Sequence, residues 1–369
     1  MQYRELGDSG VEVSEVAFGA WVVGTDWWGD RSDEDAVDMV QYALDRGVTF
    51  FDTGDVYGHG RSEELIGEAL GEHRGEVTVG TKVGYDFYNN AQAGHGEIPK
   101  DLSPEYLRNA VERSLDRLDM EYLDALFLHN ANVDEVTDAA LEELYAMREE
   151  GLYDALGWAL GPSIGWLAEG DRAVELDFDA VQTVYNLFEQ TPGRHFLDTV
   201  REAGADTSLI ARVPHSSGLL NKQVTPDTEL GKGDHRAHRP QAWFDTGWEK
   251  VEAIEFLERR EERSSSGSRT QSGNDGERTM GQASIQYLLD DEEVASVVPT
   301  FRSLDDIDEW AAAPDTPRLD DAERERVDEL YAENFGIDRD DGMSPEEFRS
   351  SVGGDDLRRA GVLPAEPAD

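Results

Sequence analysis

The chain predicts an α/β protein: a (β/α)8 TIM barrel with an N-terminal β-hairpin and a C-terminal helical extension. Three observations carry this. Strand candidates recur eight times, and most are apolar runs without polar alternation, as expected of parallel strands buried on both faces. Helical segments lie between them, a repeat that favours a barrel over an open doubly wound sheet. The length, 369 residues, suits a single barrel with insertions.

The hairpin is expected over residues 3–13. Strands follow at 16–20, 49–52, 77–82, 123–129, 155–159, 180–185, 208–213 and 295–299. Helices are expected at 33–46, 62–70, 103–118, 134–149, 192–203, 245–262 and 280–290. Asp33 and Ser103 read as N-caps, and Pro104 suits the first helical position. The barrel should span 1–335, with a long loop at 84–100 and a Ser/Gly-rich, disordered insertion at 263–277. Residues 336–369 read as an acidic, solvated extension; the DRDDG stretch lacks the ligand spacing of a calcium loop.

Charge narrows the possible partners. Asp and Glu number 81 against 33 Lys and Arg, a net charge of −48. Such a charge repels itself in dilute solution. In molar salt the Debye length falls to about 3 Å and the repulsion is screened. The acids are spread along the whole chain, which points to a halophile's cytoplasmic protein rather than to an acidic interaction tail. Nucleic acid and anionic membrane are unfavourable partners. No apolar run reaches the length of a membrane span, and the polar start of the chain lacks signal-peptide character. Without cysteine, disulfides, thiolate metal sites and cysteine nucleophiles are excluded.

The most informative stretch is FFDTGDVYGHGRSEELIGEAL, residues 50–70. It puts Asp52 at the end of an apolar strand and Tyr57 in the loop beyond, with Ser62 expected to open the next helix. Lys82 and His129 stand at the ends of the next two strands. In a barrel of this kind strand ends converge at the C-terminal face, so the four should meet. Each residue has a plainer reading: a strand-end Asp often caps a loop, and a lone His is commonly a core or surface group. A Lys on an apolar strand is harder to explain without a partner, because burying an unpaired ammonium is costly.

This pattern resembles the aldo-keto reductase signature, in which Asp, Tyr, Lys and His form a catalytic tetrad. The resemblance extends from Tyr3 to about Phe335 and includes FGAW (Gly19, Ala20, Trp21), VQTVYN, VPHSSGLL and VPTFR. It implies reduction of aldehydes or ketones with NADP(H) as cofactor, and a small carbonyl or alcohol substrate. Tyr57 would be the general acid, Lys82 the charge that favours its phenolate, Asp52 the group that orients Lys82, and His129 the donor that polarises the carbonyl. Gly19 and Ala20 would border the cofactor, Gln182 would contact the nicotinamide amide, and Ser216, Gly218 and Leu219 would follow the pyrophosphate. Arg302 and Ser303 would hold the 2′-phosphate, a task that suits the planar guanidinium fork. Trp21, Trp27 and Trp28 lie in loops expected at the barrel mouth, where they either line a substrate pocket or only seal the barrel top.

Some positions depart from that pattern. Ala159 and Leu160 stand where a Ser-Asn pair usually binds the nicotinamide carboxamide. Arg212 takes the place of the aromatic ring usually set against the nicotinamide, and should favour NADPH over NADP+. Asp306 and Trp310 replace a Gln and an Asn near the adenine; Trp310 has the ring to stack there. GDHRAHR (233–239) supplies no clear third metal ligand, so no metal is expected; Arg236 within it is placed to clamp a pyrophosphate. Two further readings compete: a nucleotide-binding regulatory protein of the same fold with little turnover, and a barrel lyase or isomerase that does not use nicotinamide.

Overall fold

The structure is a computed structural model that describes residues 1–29, 31–90, 98–161, 166–231, 234–239, 241–259 and 276–337. An antiparallel hairpin, β1 (Tyr3–Glu5) and β2 (Glu12–Ser14), precedes eight parallel strands. These are β3 (Phe18–Gly19), β4 (Phe50–Asp52), β5 (Thr78–Val83), β6 (Leu123–His129), β7 (Tyr153–Ala159), β8 (Ala180–Val184), β9 (Ser208–Arg212) and β10 (Val294–Val298). They pair in chain order, and a parallel bridge between Val16 and Val297 brings the last strand back to the first. The result is a nearly closed (β/α)8 barrel.

The helices around it are α1 (Trp21–Gly24), α2 (Asp33–Asp45), α3 (Arg61–Leu70), α4 (Pro104–Leu118), α5 (Asp138–Glu149) and α6 (Leu167–Glu175). They continue with α7 (Thr191–Ala203), α8 (Gln241–Ala253), α9 (Met280–Leu289), α10 (Leu304–Ala311) and the C-terminal α11 (Asp321–Ala332).

Inside the barrel, Phe50, Phe127 and Ile210 pack among alanines, including Ala125, Ala155, Ala159, Ala180 and Ala295. The fit is close: a Cβ on Gly157 would stand 2.4 Å from Phe127 Cδ1, so β7 needs glycine beside that ring. Leu6, Val11 and Val13 of the hairpin join the same cluster and seal the N-terminal end. Arg4 fastens the hairpin there, donating to the carbonyls of Leu289, Asp291 and Val294 and pairing with Glu15 at 2.7 Å.

Several local expectations shift. Ser32, not Asp33, caps α2: its Oγ accepts from Asp35 N at 3.1 Å, which places three acids in the first turn, at the positive end of the helix dipole. Ser62 does not open α3. Gly60 takes the N-cap at φ 94, and the Ser62 hydroxyl is buried between Thr53 Oγ1 and the Ala20 carbonyl. The helix expected at 134–149 starts at Asp138 behind a Thr137 cap. That expected at 245–262 is α8, which ends at Ala253. The helices α1, α6, α10 and α11 are not among those expected from the sequence. Of the insertion at 263–277, residues 263–275 lie outside the described residues, as does the extension beyond Ile337.

Candidate active site

Three strand ends and the turn after β4 bring the expected residues together. Asp52 is the last residue of β4, His129 the last of β6, and Lys82 lies one residue before the end of β5. The apolar strands carry Lys82 into the interior, where it is 0% exposed. Its ammonium donates to Asp52 Oδ1 at 2.7 Å and to the Thr53 carbonyl at 2.6 Å. Asp52 also accepts from Gln182 Nε2 at 2.9 Å. Gln182, expected at the nicotinamide, therefore has its amide nitrogen committed to this carboxylate.

Tyr57 opens a 3-10 turn over Tyr57–Gly60. Gly58 in that turn has φ 61, and an added Cβ would lie 2.0 Å from the Gly24 carbonyl oxygen. Glycine thus lets the turn close against the end of α1. The Tyr57 ring centroid lies 5.2 Å from Lys82 Nζ and 5.5 Å from the His129 ring, which it meets edge-on. Tyr85 packs on His129 at 4.9 Å, and its hydroxyl accepts from Asn130 Nδ2 at 2.7 Å.

Burial holds His129 well below the usual imidazole range, reinforced by the positive charges of Lys82, Arg212 and Lys100. It is therefore neutral at physiological pH, and its Nδ1 is buried without a partner. A neutral imidazole, a phenol and a buried ammonium–carboxylate pair converge on one mouth. That arrangement can deliver a proton to a carbonyl oxygen while polarising it.

The second half of the site lies beyond β9. Val213, Ser216, Ser217 and Gly218 all have positive φ, at 57, 45, 57 and 101; a β-branched residue is uncommon there. The turn lies under three guanidinium groups. Arg236 donates to the Ser217 carbonyl at 3.0 Å and pairs with Asp234 at 2.5 Å. Arg239 donates to Ser217 Oγ at 3.2 Å. Arg302 binds Gln223 Oε1, and Trp28 lies against both Arg236 and Arg302, at 4.8 and 6.0 Å. Burial, then the nearby Arg236 charge, lowers the pKa of Arg302 and brings that of Arg239 to about 10. Three crowded cations in so acidic a chain fit a phosphate-bearing ligand, whose charge would relieve their mutual repulsion.

Other expected positions fall as follows. The end of β3 carries Gly19 and buried Ala20, whose N–H donates to the Asp52 carbonyl at 2.9 Å. Ser216 is buried in the turn; the Leu219 side chain is buried in a second core beside α8, leaving its main chain for any ligand contact. Ser303 Oγ caps α10 by accepting from Asp306 N at 3.2 Å. The Asp306 carboxylate is occupied by Gln223 Nε2 at 2.8 Å and Arg302 N at 2.9 Å. Trp310 is 1% exposed, stacked on Phe301 and packed against His215. Trp21 packs against both Trp27, at 5.6 Å, and Trp28, at 5.9 Å, and Trp28 also lines the arginine groove with Ser217 and Gly218. Sequence reasoning passed over Tyr85 and Asp55, although Asp55 stands inside the same informative segment. Among the described residues no group of three or more His, Asp or Glu could hold a metal ion, and no helix is long and apolar enough to cross a membrane. The side chains of His235 and His238 lie outside the described residues.

Barrel and site together describe a (β/α)8 protein with four candidate catalytic side chains gathered at its strand ends. The sequence profile of the aldo/keto reductase family matches residues 15–332, and the chain belongs to that family. It is 30% identical to the aldo-keto reductase YhdN of Bacillus subtilis (strain 168) over 246 residues, 65% of this chain and 70% of that one. A probable voltage-gated potassium channel subunit beta of Arabidopsis thaliana is 34% identical over 206 residues, 54% of this chain and 58% of that one. Among solved structures, the glycerol dehydrogenase AKR11B4 of Gluconobacter oxydans superposes with a TM-score of 0.74 at 25% identity, covering 92% of this chain and 98% of that one.

Proposed function

We propose that this chain reduces aldehydes or ketones with NADPH, with Tyr57 as the proton donor. The carrying observation is the buried Lys82–Asp52 contact of 2.7 Å with the Tyr57 and His129 rings beside it. When bound, the reduced nicotinamide supplies the hydride. Tyr57 gives its hydroxyl proton to the substrate oxygen, and Lys82 stabilises the phenolate left behind. Asp52 keeps Lys82 charged and oriented. His129, neutral, donates a hydrogen bond to the same oxygen and binds its developing charge. Arg302 and Ser303 would hold the 2′-phosphate, and Arg236 with the Ser216–Gly218 turn would hold the pyrophosphate. Arg212 beside the nicotinamide favours the neutral, reduced ring over the cationic one. Trp21, with Trp27 and Trp28 packed against it, would shape the substrate pocket.

The acidic surface fits a cytoplasm at molar salt, where −48 charges are screened. The test is a fluorescence titration in molar KCl with NADPH and NADP+, followed by an aldehyde screen. Saturable binding, tighter for NADPH, with multiple-turnover oxidation supports the reading; a folded protein that binds neither form overturns it. A second reading, a nucleotide-binding regulatory protein, draws on Ala159 and Leu160, which offer no polar side chain at the end of β7. Tight binding with little turnover would select it.

A further inference from the structure

Arg212 is the last residue of β9, and its guanidinium reaches across to donate to the carbonyls of Leu160 and Gly161 beyond the end of β7. Its Nε is buried and has no acceptor. Its charge interacts with Tyr57, Asp52 and Tyr85, so it faces the catalytic mouth. No carboxylate among the described residues forms an ion pair with it, in a chain with 81 acids. A desolvated guanidinium with an idle N–H is costly to keep. Held rigidly by two carbonyls, it is prepared for an acceptor that arrives with a ligand.

The neighbours show which acceptor. Ala159 and Leu160 have no side-chain donor, and the Gln182 amide nitrogen is bound to Asp52 at 2.9 Å. We propose that Arg212 anchors the nicotinamide of the bound cofactor by donating to its carboxamide oxygen. This rests on the nicotinamide-dependent reading above and names the residue that orients the ring. In the reduced ring the nitrogen lone pair conjugates into the carboxamide and enriches its oxygen, so the acceptor is stronger in NADPH than in NADP+. The anchor and the preference for the reduced form then have one cause.

The test is binding, without turnover. Wild type, Arg212→Met and Arg212→Gln are titrated in molar KCl with four ligands. These are NADPH, its reduced thionicotinamide analogue (a poor acceptor), its reduced 3-acetylpyridine analogue (carbonyl kept, amide nitrogen lost) and 2′-phospho-ADP-ribose. Wild type should bind NADPH and the acetylpyridine analogue alike, and the thio analogue about tenfold more weakly. Arg212→Met should lose that discrimination, Arg212→Gln should retain part of it, and 2′-phospho-ADP-ribose should bind all three proteins equally. Wild type that accepts the thio analogue as well as NADPH overturns the anchor without any variant. So does discrimination that persists unchanged in Arg212→Met. Failure of the underlying reading looks different: neither NADPH nor 2′-phospho-ADP-ribose binds folded wild type, which overturns both.

Discussion

The Lys82 ammonium and the Asp52 carboxylate meet at 2.7 Å with side-chain exposures of 1% and 7%. Removing one partner leaves the other charge buried, at a cost of about 3–5 kcal/mol. Lys82→Met and Asp52→Asn should each lower the urea midpoint in molar KCl, and the double variant should recover much of the loss. Single variants as stable as wild type would show that the pair is hydrated.

Tyr57→Phe should lower kcat/KM for aldehyde reduction by at least about a hundredfold while NADPH binding stays essentially unchanged. Stopped-flow turnover and equilibrium titration separate the two effects. Substantial residual turnover would remove Tyr57 from the proton-donor role.

His129 is held neutral by burial and neighbouring cations. With its folded pKa below the unfolded value of about 6.5, the unfolded chain binds the extra proton first as pH falls. The stability tied to this group is complete above about pH 6.5 and is lost as pH falls toward the folded pKa. His129→Gln should flatten the melting temperature over that acidic window. Identical slopes in both proteins would contradict the assignment.

Asp55 shows the opposite sign. It is 0% exposed, and neither carboxylate oxygen makes a hydrogen bond of normal geometry. Burial raises its pKa well above the usual range, Glu63 adds to the rise, and Arg117, the Val56 N–H and Lys82 oppose it. The folded state keeps the proton longer, so stability falls as pH rises from about 4 through the folded pKa. Asp55→Asn, neutral at every pH, should melt near wild type at the acidic end and above it at pH values past that pKa. A difference that does not grow with pH would mean that Asp55 ionises freely.

Arg302 sits 6.0 Å from the Trp28 ring beside Arg236. If it binds the 2′-phosphate, Arg302→Ala should weaken NADPH about tenfold or more and leave NADH nearly unaffected. Equal weakening of both, measured by titration, would move Arg302 to the pyrophosphate.

Much was decided by the sequence alone. Largely apolar runs such as 123–129, broken only by Asp124 before the terminal His129, fit burial on both faces, and their repetition between helical segments favours parallel strands and a barrel. Because strand ends converge in that fold, Asp52, Tyr57, Lys82 and His129 were legible as one site before any distance was known. The hairpin was legible too, but not its work as a plug, because Leu6, Val11 and Val13 find Phe50 and Phe127 only once the barrel closes. Only the tertiary structure decided what depends on the spatial partner. Gln182 is turned toward Asp52, 130 positions away; Trp28 bridges Trp21 and the arginines; and Arg212 is left with a buried, idle donor. Periodicity and spacing record which face a residue takes along its own strand or helix. Hydrogen bonds and ion pairs between distant strands are selected by three-dimensional proximity, which local pattern does not encode.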